Sequence, residues 1–187
     1  METDLPEPAN FVARLRAAAR AAVAEIEDGM LIGLGTGTTA AFAIAALGQR
    51  VAAGLDVNTV ATSLAASQAA EAAGLRVLPF DTLASVDVAI DGADELDSQL
   101  RAIKGKGGAM LREKIVAAAA TRMIVIVNSS KQVAMLGRAP LPVEVLPFAA
   151  GFVSRRIKQL GAKVCRRMAG DASRNITSSS VLSAKSA

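Results

Sequence analysis

The sequence predicts an α/β protein built on a Rossmann-like, doubly wound and mainly parallel sheet. Short apolar, β-branched runs alternate with longer segments whose apolar residues recur at helical spacing. Three polar clusters each follow one of those runs, as ligand loops follow the carboxyl ends of strands in open parallel sheets. At 187 residues the chain has room for one full domain and a core of ordinary size, with at most a small appendage.

The elements follow in order. Asn10 is placed to cap a helix over Phe11 to Glu27, whose residues Val12, Leu15, Ala19, Val23 and Ile26 share one face before Asp28-Gly29 stops it. Met30 to Leu34 reads as a buried strand and Thr38 to Leu47 as a helix. Asn58 to Ser63 is a short strand, and Ala65 to Ala73 an Ala-rich helix ended by Gly74. Leu75 to Pro79 is a further strand candidate, and Asp87 to Ile90 another. Ala109 to Ala120 reads as a helix, and Met123 to Val127 as a continuous β-branched strand. Residues 1–167 are expected to form the Rossmann-like domain. From Met168 the chain turns to Ser, Ala, Arg and Thr, so residues 168–187 are expected to be a divergent, disordered tail.

Composition narrows the chemistry. Aromatics make up 3% of the chain with no Trp or Tyr, which leaves little for stacking on nucleic-acid bases. With no His and one cysteine, Cys165, intrachain disulfides, His-dependent nucleophilic catalysis and the usual zinc sites are set aside, so acid–base work falls to carboxylates and lysines. Residues 1–150 hold 13 Lys/Arg against 16 Asp/Glu, and residues 151–187 hold 8 against 1, so the basic balance belongs to the tail. Gly29 to Gln49 is uncharged over 21 residues, but Gly33, Gly35 and Gly37 interleaved with threonines mark strand, loop and helix rather than a membrane span. Met1 to Asn10 is acidic and lacks the basic start and apolar run of a signal peptide, which points to the cytoplasm.

Three segments carry chemistry. Gly33 to Thr39 lies between strand and helix, where glycines let the backbone approach a ligand and helix N–H groups attract phosphate. Thr38 stands where a dinucleotide fingerprint has its third glycine, the Walker ending is absent, and a Gly-rich turn also serves packing. Asp91-Gly92-Ala93-Asp94-Glu95-Leu96-Asp97 crowds four carboxylates past a buried strand, a pattern expected to raise some of their pKa values. It reads as a solvated acidic loop, a hard-cation site or a catalytic cluster. The catalytic reading gains from Lys104-Gly105-Lys106-Gly107-Gly108, a flexible loop that brings Lys104 within range of the carboxylates. Arg112, Glu113 and Lys114 by themselves read as the wet face of a helix.

In chain order, Gly33 to Thr39, Thr62-Ser63, Asp91 to Asp97, Lys104 to Lys114, Ser130-Lys131 and Pro140 to Val145 together resemble the successive signatures of A-type ribose-5-phosphate isomerase. The resemblance implies an aldose–ketose isomerase of the non-oxidative pentose phosphate pathway, interconverting D-ribose 5-phosphate and D-ribulose 5-phosphate through an enediolate. Glu113 then matches the base that moves a proton between C1 and C2. Asp91, with Asp94 beside it, matches the acid–base group that opens the furanose ring, and Lys104 the cation that steadies the enediolate. Thr36, Gly37, Thr38, Thr39, Gly92, Ala93, Gly105, Lys106, Gly107 and Lys131 match substrate-binding positions, as do Asp91, Asp94 and Lys104. The family implies no metal and no organic cofactor, a homodimer or higher homo-oligomer, and no nucleic-acid or membrane partner.

The chain departs from the family pattern twice. Lys106 stands where the family commonly has glycine. After the strand near Val164 the family's Ser/Thr-Asp-Asn-Gly-Asn turn and small C-terminal α/β subdomain are not recognisable, so that subdomain is expected to be largely missing, with apolar surface of the main sheet exposed and poor solubility. Two other readings follow from the same residues: a weak or inactive family member that binds sugar phosphates, and a sugar-phosphate sensor domain of related fold. The coenzyme A transferases share a related fold, but no segment here matches their catalytic motif.

Overall fold

The computed structural model describes residues 7–166 and 180–186. In chain order the elements are α1 (Glu7–Ala24), β1 (Leu31–Leu34), α2 (Thr38–Ala52), β2 (Asn58–Ala61), α3 (Leu64–Ala72), β3 (Val86–Gly92), β4 (Glu95–Leu96), β5 (Ala102–Ile103), α4 (Met110–Ala119), β6 (Ala120–Ile126), β7 (Leu141–Val145), α5 (Ala150–Gln159), β8 (Ala162–Arg166) and β9 (Ser180–Ser186). They fall into two units, one formed by the chain up to Gly92 together with Glu113–Ser129, the other by Ala93–Arg112 and the chain from Ser130. This division differs from the single domain over residues 1–167 that the sequence predicts.

The first unit holds the predicted parallel sheet, in the order β2-β1-β3-β6. The chain winds outward from β1 to β2 and then returns to place β3 on the other side of β1, so the carboxyl ends of β1 and β3 form the topological switch point where such sheets bind ligands. Strand alternation sorts the core. Ile32, Leu34, Val88 and Ile90 pack with Ala19 and Val23 of α1, with Ile26 just after it, and with Ala43, Ile44 and Leu47 of α2. Val60, Val86 and Ala89 pack with Val116 of α4 in a second buried cluster. There a Cβ on Gly33 would lie 2.5 Å from Val116 Cγ1, so the helix sits directly on β1 only because that residue is glycine. Arg50 closes the end of α1 by donating to the carbonyls of Val23 at 2.6 Å and Ile26 at 2.7 Å.

Several predicted boundaries move. α1 covers Glu7–Ala24, so Asn10 lies inside the helix rather than capping it. α2 runs on to Ala52, with Gly48 allowing close approach to Ala73, whose carbonyl would be 2.5 Å from a Cβ there. Leu75 to Pro79 makes no full strand: Val77 forms one parallel bridge to Thr59, and Pro79 removes the next donor. Among the described residues no helix is long and apolar enough to cross a membrane.

In the second unit β4 and β5 form a small antiparallel hairpin, and β7, β9 and β8 form a three-stranded antiparallel sheet with α5 packed beside β8. Ser180–Ser186 is thus a strand where the sequence predicts disorder, while residues 168–179 lie outside the described residues. Strands β7 and β8 each offer an open ladder, so backbone pairing on both sides orders a Ser-rich segment that lacks an apolar period of its own. Exposed large apolar side chains occur in both units, among them Leu64 and Ile115 in the first and Leu146, Phe148, Phe152 and Leu160 in the second, whereas Ile32, Leu34, Val88 and Ile90 of the main sheet are buried.

Candidate functional site

In the first unit the switch point is built from the β1–α2 loop, the end of β3 and the start of α4. Gly35 donates its N–H to the Ile90 carbonyl at 2.9 Å, drawing the loop against β3. A Cβ on Gly35 would lie 2.1 Å from both Cγ and Oδ1 of Asp91, so the glycine is the space the Asp91 carboxylate occupies. Asp91 is 5% exposed, and its Oδ1 accepts the N–H of Gly92 at 2.7 Å. Gly92 in turn faces Thr39, whose Cβ would be 3.3 Å from a Cβ there.

The three threonines of the loop differ. Thr36 is turned inward, its hydroxyl 2.9 Å from that of Thr62 and donating to Ser63 at 2.8 Å. Thr62 donates to the Leu34 carbonyl at 3.0 Å, and Ser63 caps α3 by accepting from Ala66 N–H at 3.1 Å. These side chains brace the loop. Gly37, at φ 102°, starts α2 without a side-chain cap, so the first N–H groups of the helix are presented with the hydroxyls of Thr38 and Thr39, as anion sites require. Thr38 also lines a cavity of about 390 Å³ between α1 and α2, together with Arg16, Arg20, Phe42 and Gln49. The sequence places Arg16 and Arg20 on no site; their only signal is a spacing of four on one helix face.

Glu113 lies in the first turn of α4 and is 7% exposed. It is not part of a wet face. α4 runs directly into β6, which is parallel to β3, so its first turn stands at the carboxyl end of the sheet. Val116, one turn later on the same face, rests on Gly33, which puts Glu113 toward the level of Gly35 and Asp91. The first unit therefore holds two buried carboxylates, Asp91 and Glu113, and a helix N-terminus without a side-chain cap. A buried carboxylate is suited to proton transfer, and cationic groups beside a helix N-terminus to holding a dianion.

The second unit holds Ala93, Asp94, Lys104, Gly105, Lys106, Gly107 and Lys131. Its β4–β5 hairpin fixes Asp94, which donates its N–H to Ile103 O at 2.7 Å and accepts Lys106 N–H on Oδ2 at 2.9 Å. Lys104 is thereby held at the head of a loop that turns at Gly105 (φ 108°) and Gly108 (φ 83°). Gly105 packs on Met110, while Lys106 and Gly107 are exposed. Lys131 ends a 3-10 turn just before Gln132 and Val133, which bond to Leu96 of β4.

The four carboxylates of the acidic run do not share one field. Glu95 is wholly buried and accepts from the N–H groups of Gly137, at 2.8 Å, and Ala139. Asp97 accepts from the backbone of Gln99 and Arg101 and pairs with the Arg101 guanidinium at 2.7 Å. The Gly137 N–H foremost holds Glu95 below the ordinary carboxylate range, and the Arg101 side chain does the same for Asp97. Both shifts run opposite to the rise expected from crowding, because each side chain has its own donors.

Comparison with known proteins matches residues 58–182 to the family model described as ribose 5-phosphate isomerase A (phosphoriboisomerase A). The chain is 55% identical over 165 residues to ribose-5-phosphate isomerase A of Sphingopyxis alaskensis, covering 86% of this chain and 71% of that protein. It is 52% identical over 149 residues to the protein of that name from Rhodopseudomonas palustris (strain HaA2), covering 80% of this chain and 64% of the relative. The chain thus spans roughly two thirds of the length of these curated relatives. A solved D-ribose-5-phosphate isomerase in complex with phospho-erythronic acid superposes with a TM-score of 0.87 at 35% identity, covering 93% of this chain and 79% of that one.

Proposed function

Because the chain belongs to the ribose 5-phosphate isomerase A family, we propose that it interconverts D-ribose 5-phosphate and D-ribulose 5-phosphate, with Glu113 as the base. The observation that carries this reading is the buried Glu113 in the first turn of α4, at the sheet edge where Gly35 also seats Asp91.

In this reading Asp91, assisted by Asp94, exchanges protons with the ring oxygen and anomeric hydroxyl to release the open-chain aldose. Glu113 takes the proton from C2, and the C–H electron pair becomes the C1–C2 double bond while negative charge passes to O1. Lys104 balances that charge, which is greatest in the transition state. The O2 hydroxyl proton then moves to O1, and Glu113 returns its proton to C1 to leave the ketose, so no oxidant, reductant or metal is needed. Thr38 and Thr39 with the N-terminus of α2 hold the phosphate, Arg16 and Arg20 add charge beside it, and Thr36 keeps the loop in shape. Gly37, Gly92, Ala93, Gly105, Lys106, Gly107 and Lys131 line the sugar. A homo-oligomer in the cytoplasm accompanies this reading.

The test is conversion of ribose 5-phosphate by the purified chain, with unphosphorylated ribose as the comparison substrate. Turnover of the phosphate ester at least a hundredfold above that of ribose is expected. Folded protein that converts neither contradicts the proposal.

A further inference from the structure

We propose that Glu144 is a positioning residue for Glu113, acting as the N-terminal cap of α4 from a strand 33 residues further along the chain. The inference rests on the reading of Glu113 as the base, and it gives a role to the Pro140 to Val145 segment that the reaction itself leaves unused.

The first turn of an α-helix leaves N–H groups without intrahelical acceptors, normally met by a Ser, Thr, Asp or Asn at the preceding position. α4 starts at Met110, and the residue before it is Ala109, which has no acceptor to offer. Glu144 supplies one: its Oε2 accepts the Leu111 N–H at 2.9 Å. A carboxylate there makes a charge-assisted bond and also complements the positive end of the helix dipole.

The strand that carries Glu144 is itself braced. β7 pairs with β9, Glu144 lying opposite Val181. Just upstream, the Gly137 and Ala139 N–H groups are bound by the buried Glu95 carboxylate. Glu144 therefore approaches α4 from a fixed support rather than from a loose loop. Two residues beyond Leu111 is Glu113, in the same turn. Fraying of that turn moves Glu113 with it, and a displacement of ~1 Å from the productive position costs about a hundredfold in rate.

Glu144→Ala and Glu144→Gln separate this role from general stability, because the glutamine keeps an acceptor oxygen and the alanine does not. In the folded Ala variant kcat for ribose 5-phosphate should fall about ten- to a hundredfold with KM within about threefold of the unaltered chain, and the Gln variant should recover most of kcat. Amide hydrogen exchange at Leu111 to Glu113 should accelerate in the Ala variant far more than in the Gln variant, while exchange at Val116 to Ala119 stays unchanged. Unaltered exchange at Leu111 in the Ala variant overturns the inference, as does kcat within twofold of the unaltered chain or equal loss in both variants. Absence of turnover in the unaltered chain refutes the isomerase reading instead, and the exchange measurement then decides the cap by itself.

Discussion

Gly35→Ala probes the seating of Asp91 with a single methyl group. The added Cβ would sit 2.1 Å from Cγ and Oδ1 of Asp91 and 2.5 Å from its Cβ, where ordinary contact begins at 3.4 Å. Loop and carboxylate must therefore separate by about 1.3 Å, a shift of the size that costs roughly a hundredfold in rate when it falls on a catalytic group. Neither side yields readily. Asp91 is buried at the end of a strand paired on both sides, with Oδ1 on the Gly92 N–H, and Gly35 is tied to the Ile90 carbonyl. Overpacking of this kind costs about 1–3 kcal/mol, or several degrees in Tm for a chain of this size. The assay is steady-state isomerisation of ribose 5-phosphate with a thermal melt on the same preparation. Gly151→Ala serves as the control, since a Cβ there meets no atom within 4 Å. A Gly35→Ala protein with kcat within threefold of the unaltered chain and an unchanged Tm would refute the reasoning.

Three further outcomes are expected. Ser63→Ala removes the cap on Ala66 and a partner of Thr36, which should lower stability by about 1 kcal/mol in a denaturant titration, whereas Ser63→Thr should retain most of it. If Arg16 and Arg20, which line one cavity with Thr38, add charge at the proposed phosphate site, replacing both by Gln should raise KM for ribose 5-phosphate about tenfold and leave kcat unchanged; an unchanged KM would remove them from that site. Arg101 holds Asp97 below the ordinary carboxylate range, so the native state binds that proton less readily than the unfolded chain. The stability this contributes is complete above the unfolded carboxylate pKa of about 4 and is lost as pH falls through the lower native value. Asp97→Asn should thus be less stable at pH 7 and converge on the unaltered chain as pH falls below the ordinary carboxylate range; parallel stability curves would contradict this.

The parts of the fold legible in the sequence are those written locally. β1, β3 and β6 are apolar runs followed by Gly or polar turns, and their three following clusters foretell the edge where Gly35 and Asp91 meet. What local pattern leaves out is set by partners far along the chain. Four carboxylates between Asp91 and Asp97 look alike in sequence, yet Glu95 is bound by Gly137 and Ala139, 42 and 44 residues away, and Asp97 by its own turn. Thr36 looks equivalent to Thr38, but Thr62 and Ser63 turn its hydroxyl inward. Ser180–Ser186 has no period to announce a strand, since its order comes from β7 and β8. Glu113 is the clearest case: its neighbours suggest a solvated face, and only the packing of Val116 on Gly33 turns that side of the helix to the sheet.

Glu113 is the residue on which the proposed chemistry turns. The most direct measurement is conversion of ribose 5-phosphate to ribulose 5-phosphate in the presence of a chelator, by the unaltered chain and by Glu113→Gln prepared identically. Turnover that survives chelation and falls at least a thousandfold in the Gln protein, with the fold intact, is the predicted result. Turnover retained within tenfold by Glu113→Gln would contradict the account.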